Sequence, residues 1–117
     1  DVSFVSLKKI IPKLSEFMKD ESSAAVLIKP QFEAGKSDIG KNGIVKDRKV
    51  HLRVLIELMA FFSQNGLAVK NLDFSPISGG DGNIEYLTYI VCNDGETSVL
   101  DVKKVIDEAF SNIRRKD

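Results

Sequence analysis

Apolar positions along this chain switch between two periods. From Leu7 to Met18 they recur three and four residues apart, at Leu7, Ile10, Ile11, Leu14, Phe17 and Met18, which predicts an amphipathic helix capped by Ser6. Pro12 falls inside that stripe and should kink the helix or mark its first turn. From Ala24 to Ile28 the apolar residues run without a break, too short a run for a helix and better read as a strand buried on both faces. Lys29 ends the run, and Pro30, which has no N–H to give to a ladder, stops the strand. The helical period returns over roughly Arg48 to Gln64, capped by Asp47 and closed by Asn65-Gly66. Val50, Val54, Leu58, Phe61 and Phe62 form its inward stripe, and Lys49, Arg53, Glu57 and Gln64 its polar side.

Leu67–Phe74 reads as a strand of imperfect alternation, and Asn83–Val91 as a longer apolar strand that carries Glu85. Ser98, with Asp101, opens a last amphipathic helix through Val102, Val105, Ile106, Ala109, Phe110 and Ile113, and Arg114-Arg115-Lys116 suits its negative end. Val2–Val5 reads as the tail of one further strand, so the chain, which begins at Asp1, is expected to be a piece of a longer protein. The order is then strand, helix, strand, helix, strand, strand, helix. It implies an α/β fold, a mainly parallel sheet with one antiparallel strand, flanked by helices.

Composition narrows the function classes. With 117 residues the chain is one domain or part of one. Its 17 basic and 17 acidic residues cancel, so attraction to nucleic acid must come from a local patch. A single cysteine, Cys92, excludes an internal disulfide and fits a reducing, cytoplasmic compartment. No apolar run approaches the ~20 residues of a membrane span.

Three charged residues interrupt apolar strand sequence: Asp1, Lys29 and Glu85. Taken singly, each is an ordinary strand-end charge. Lys29 ends one strand and Asp1 sits at what reads as the C-terminal part of another. Glu85 lies near the start of the last, and if that strand runs antiparallel all three converge on one rim. Ligands of open α/β sheets bind outside the carboxyl ends of the strands. A lysine held there between carboxylates can orient a hydroxyl and take its proton once substrate excludes water. His51, near a helix start, has no second His or Cys at metal spacing and reads as a packing or surface residue. Gly35-Lys-Ser-Asp-Ile-Gly-Lys-Asn42 nearly matches a phosphate-binding loop. Asn42 stands where the magnesium-binding hydroxyl belongs and Gly43 where a helix should begin, so the nucleotide-hydrolase reading fails.

Four stretches taken in order carry a family resemblance: Asp1-Val-Ser-Phe-Val-Ser-Leu7, Lys29-Pro-Gln-Phe-Glu-Ala-Gly35, Gly40-Lys-Asn-Gly-Ile-Val-Lys-Asp47 and Ser75-Pro-Ile-Ser-Gly-Gly-Asp-Gly-Asn-Ile-Glu85. Together they resemble the TlyA family, the FtsJ-like group of ribosomal RNA 2′-O-methyltransferases often called hemolysins. The resemblance runs from residue 1 to about Ile90, and Val91–Asp117 extends beyond it. It implies a Rossmann-like, S-adenosylmethionine-dependent methyltransferase domain with a Lys-Asp-Lys-Glu tetrad and, upstream, an S4-type RNA-binding domain. Asp1, Lys29 and Glu85 resemble the second, third and fourth tetrad members, with Lys29 the base toward the ribose 2′-hydroxyl. The first lysine, the glycine-rich loop and the acidic residue that holds the cofactor would all lie before Asp1. This piece is therefore expected to be the C-terminal part of the catalytic domain, unable to bind S-adenosylmethionine or act alone.

Two other classes stay open: a catalytically silent RNA-binding relative, and a pore-forming cytolysin. Retention of the three tetrad positions argues against the first, and the lack of a membrane-length or lytic amphipathic segment against the second. The segment Gln31–Lys46 reads as a long irregular connection with glycines at 35, 40 and 43. It leaves the sheet at Lys29, so Lys36, Lys41 and Lys46 are expected to form a mobile basic flap that closes on RNA phosphates.

Overall fold

The computed structural model describes residues 7–18, 22–35, 38–40, 43–75, 82–92 and 100–116, the last with side chains as far as Asn112. In chain order the elements are α1 (Leu7–Phe17), β1 (Ser23–Ile28), α2 (Pro30–Glu33), α3 (Arg48–Gln64), β2 (Leu67–Phe74), β3 (Tyr86–Cys92) and α4 (Val102–Lys116). Helix boundaries follow local chemistry. Asp47 caps α3 by accepting from the Lys49 N–H at 2.9 Å, and Gly66, at a φ of 75°, turns the chain out of it where a Cβ would be strained. Pro12 is inside α1, and the helix runs through it from Leu7 to Phe17. Ser6, Asp1 and the expected strand at Val2–Val5 lie outside the described residues, as does Ser98. At α4 it is Asp101 that accepts, from the Lys104 N–H at 3.1 Å.

The sheet is small and differs from the expected one. Its three strands are ordered β1-β3-β2, and both ladders are antiparallel. β1 and β2 do run in the same direction, as a strand-helix-strand order suggests, but β3 inserts between them. The return after Ser75 carries the chain back alongside β2, and β3 takes the position a parallel neighbour of β2 would have held. A mainly parallel sheet is therefore not what these strands form.

The alternation of β2 breaks for a physical reason. Leu67, Ala68 and Val69 are buried in succession, and the register with β3 slips between Val69 and Asn71. The bulge at Lys70 absorbs one residue, so that Leu72 again faces the core. The Thr88 hydroxyl donates to the Asn71 carbonyl at 2.9 Å, beside the disturbed ladder.

The core lies on one face of the sheet. Ile28, Tyr86 and Ile90 meet Val54, Leu55, Leu58 and Phe62 of α3, Ile106 and Ala109 of α4 and Ile11 of α1. On the other face Leu27, Leu87 and Tyr89 are 38%, 43% and 44% exposed. The prediction of a strand buried on both faces fails at β1, whose residues alternate in burial. Helices flanking both faces are likewise absent among the described residues.

The connection from β1 to α3 is more ordered than its glycines suggested. α2 takes up its first turn. Ile39 packs on the core, Val45 is 3% exposed, and the Gly40 N–H donates to the Ile44 carbonyl at 3.0 Å. The buried Asn83 side chain holds this segment from below, accepting from the Val45 N–H at 3.0 Å and donating to the Gly43 carbonyl at 2.9 Å. Arg53 of α3 pairs with Asp38 at 2.6 Å. The expected mobile flap is thus tethered at several described points.

Candidate active-site edge

The last pair of the β1–β3 ladder is Ile28 with Tyr86. Lys29 is the next residue out of β1 and Glu85 the residue before β3, so the register carried one step further sets them opposite one another at the same end of the sheet. On the other side, the Ser75 N–H donates to the Glu85 carbonyl at 2.8 Å and extends the β2–β3 ladder past its last pair. The Glu85 backbone is therefore fixed by a neighbouring strand. Its side chain is buried, 9% exposed, whereas Lys29 is half-buried. No ion pair among the described residues joins the two.

What orders this edge is the single turn of α2. Pro30, buried and free of an N–H requirement, starts the turn directly after Lys29. The next three side chains then reach to three separate parts of the fold. Gln31 donates through Nε2 to Glu85 Oε2 at 3.3 Å. The Phe32 ring lies 5.3 Å from the Lys29 ammonium, a cation–π contact that biases where the amine rests. Glu33 accepts from the Leu7 N–H at 2.8 Å and so caps the start of α1. Each residue of Lys29-Pro-Gln-Phe-Glu33 has a structural task. Sequence reading registered the motif but not these partners, because their contacts reach 54 and 26 residues along the chain for Gln31 and Glu33.

Of the expected site residues, Lys29 and Glu85 come together at this edge. Asp1, Lys36 and Lys41 lie outside the described residues. Lys46 is exposed at the end of the tethered connection, just before the Asp47 cap.

Beneath the edge is a buried polar pair that the sequence did not disclose. His51, 0% exposed, places Nε2 at 2.9 Å from the Val45 carbonyl and Nδ1 at 2.8 Å from the Tyr86 hydroxyl. A carbonyl only accepts, so Nε2 carries a proton; in the neutral ring, which burial favours, Nδ1 then accepts from the tyrosine. The Phe110 ring stands edge-on to the imidazole at 5.1 Å. Burial pushes His51 below its usual range, against the opposing effects of the Val45 bond and Asp47, and burial pushes the Tyr86 phenol up. A histidine that binds its proton less readily when folded stabilises the fold above its unfolded value. That contribution is lost as pH falls from about 6.5 toward the depressed folded value. Urea midpoints of the intact protein should therefore decline between neutral and mildly acidic pH. In His51→Gln, which keeps a donor and an acceptor without the titration, the decline should be shallower; equal slopes would remove His51 as its source.

The chain belongs to the FtsJ-like methyltransferase family, whose model matches residues 1–92. Its relatives include YqxC of Bacillus subtilis, named as an rRNA methyltransferase and 42% identical over 121 residues, covering 99% of this chain and 43% of that protein. Another is the 16S/23S rRNA (cytidine-2′-O)-methyltransferase TlyA of Mycobacterium tuberculosis, 31% identical over 90 residues, covering 77% of this chain and 34% of that one. A solved structure described as a hemolysin from Streptococcus thermophilus superposes with a TM-score of 0.92 at 42% identity, covering 99% of this chain and 42% of that one. The match to YqxC takes in residues beyond Ile90, where the sequence motifs ran out. The chain spans less than half the length of these relatives.

Proposed function

We propose that this chain forms the acceptor side of an S-adenosylmethionine-dependent ribosomal RNA 2′-O-methyltransferase. Lys29 takes the proton of the ribose 2′-hydroxyl, and Asp1 and Glu85 orient the lysine. The observation that supports this best is the shared ladder end: Lys29 and Glu85 flank the Ile28–Tyr86 pair, with Gln31 bridging toward Glu85. S-adenosylmethionine, when bound, supplies a methyl group already activated on a sulfonium, so the acceptor side has to furnish a nucleophilic oxygen. An amine and a carboxylate at the rim suit that task. Among the described residues no glycine-rich turn joins a strand to a helix start to cradle a nucleoside, and Lys29-Pro30 follows β1 directly. These 117 residues span less than half the length of the relatives, so most of the cofactor pocket is proposed to come from the rest of the intact protein, and residues 1–117 alone are not expected to bind it.

The test is transfer of labelled methyl groups by the intact protein to unmodified ribosomal RNA, with the label read as a 2′-O-methyl nucleotide resistant to alkaline cleavage. Methylation of a base, or none, would refute the reading. Leakage from liposomes without methyl transfer would favour a cytolysin instead. Lys36, Lys41 and Lys46 are assigned to RNA phosphates. Their joint replacement by alanine should weaken RNA binding and reduce the log–log salt slope by up to ~2–3, one counterion release per lost phosphate contact. A wild-type slope in the triple variant would leave the segment as a connection only.

A further inference from the structure

Gln31 is anomalous by ordinary folding criteria. Its carbonyl oxygen, Oε1, is fully buried and has no hydrogen-bond partner among the described residues. Buried polar groups are nearly always satisfied, and one that is not lowers stability relative to an apolar side chain of the same shape. The orientation of the amide is not arbitrary. A carboxylate oxygen only accepts, so Glu85 Oε2 requires the NH2 end to face it at 3.3 Å, and the carbonyl is then left where it has no donor. A methionine would fill the same space without the orphan. What methionine would lack is the donor to Glu85.

We propose that Gln31 is a positioning residue of the methyl-transfer site, which holds the Glu85 carboxylate in place opposite Lys29 and does so at the expense of fold stability. This rests on the function proposed above. The geometry suits the role: α2 places Gln31 two residues after Lys29 and Pro30 fixes the start of that turn, so one short segment presents both the lysine and the group that steers its carboxylate. A side chain kept for packing would be satisfied at both ends or apolar. This one is satisfied only toward Glu85.

The experiment compares the intact wild-type protein with Gln31→Met and Gln31→Glu, using S-adenosylmethionine and unmodified ribosomal RNA. Gln31→Met should melt at the wild-type temperature or above it. Its kcat should fall about 10- to 100-fold, within the span over which misplaced catalytic groups act, while the KM for S-adenosylmethionine stays within about twofold, since Gln31 acts on the acceptor side. Gln31→Glu, which sets a carboxylate against Glu85, should lose more turnover than Gln31→Met. A Gln31→Met protein with wild-type kcat would overturn the proposal, as would one whose melting temperature falls together with kcat, the signature of a structural glutamine. Should the wild-type protein itself fail to methylate ribosomal RNA, the function reading falls first and this inference with it; an active wild type with an equally active Gln31→Met removes the inference alone.

Discussion

Replacing Lys29 with alanine in the intact protein should lower methyl transfer to ribosomal RNA by about a hundred- to ten-thousand-fold, the range a positioned general base contributes. The loss should appear in kcat, with affinity for S-adenosylmethionine little changed, because the role proposed for Lys29 is toward the acceptor hydroxyl. The fold should survive. Lys29 is half-buried and beyond the last strand pair, and its contact with Phe32 is a cation–π interaction of about 0.5–1 kcal/mol at a partly exposed site. Lys29→Arg separates base from charge. A guanidinium keeps the positive charge and does not give up its proton near neutral pH, so a base role predicts that arginine fails as alanine does. If either variant turned over within a few-fold of wild type, the base would have to be sought elsewhere.

The second large effect concerns stability. Tyr86 begins the central strand, is 0% exposed, and lies between Ile28 on one side and Phe74 on the other. Tyr86→Ala removes a fully buried ring, a change that costs about 3–5 kcal/mol in aromatic-to-alanine series. It also strips His51 Nδ1 of its donor, 2.8 Å away, and a buried acceptor left unpaired costs about 1–3 kcal/mol more. Against a total stability of about 5–15 kcal/mol, the variant should lose a large share of its stability and unfold at a much lower urea concentration than wild type. Tyr86→Phe keeps the ring and isolates the hydroxyl, so it should show only the smaller part. Urea unfolding of both variants gives the two parts separately. A Tyr86→Ala loss below about 2 kcal/mol would mean that the ring's space is readily refilled.

The elements that could be read along the chain are those whose signal is local. The α3 helix announces itself by its Asp47 cap, its apolar stripe and its Asn65-Gly66 stop, and β2 by its apolar run between glycine and serine-proline turns. Lys29 is legible because a charge and a proline end an apolar run. The sheet order was not, since nothing within β1 or β2 records that a later strand will come between them. The bulge at Lys70 left a trace, a broken alternation, but that trace names no partner. His51 read as bland because imidazoles are identified by their neighbours, and the Tyr86 hydroxyl is 35 residues away. Gln31 and Glu33 were hidden for the same reason. Side chains that join distant segments carry no periodicity, and only the folded register reveals what they meet.

The order β1-β3-β2 also bears on how the molecule is made. During synthesis β1 and β2 leave the ribosome with no strand between them and cannot pair with one another at the distance the finished sheet imposes. Their shared partner emerges last of the three, so the β1–β3 and β3–β2 ladders form only once β3 has been made. A nascent chain that stops short of β3 leaves the facing edges of β1 and β2 without the partner they have in the finished sheet, a target for chaperones and for aggregation. Glu85 arrives with that same strand, immediately ahead of Tyr86. The carboxylate therefore comes opposite Lys29 only once β3 has paired with β1, and no partly translated product presents the two together.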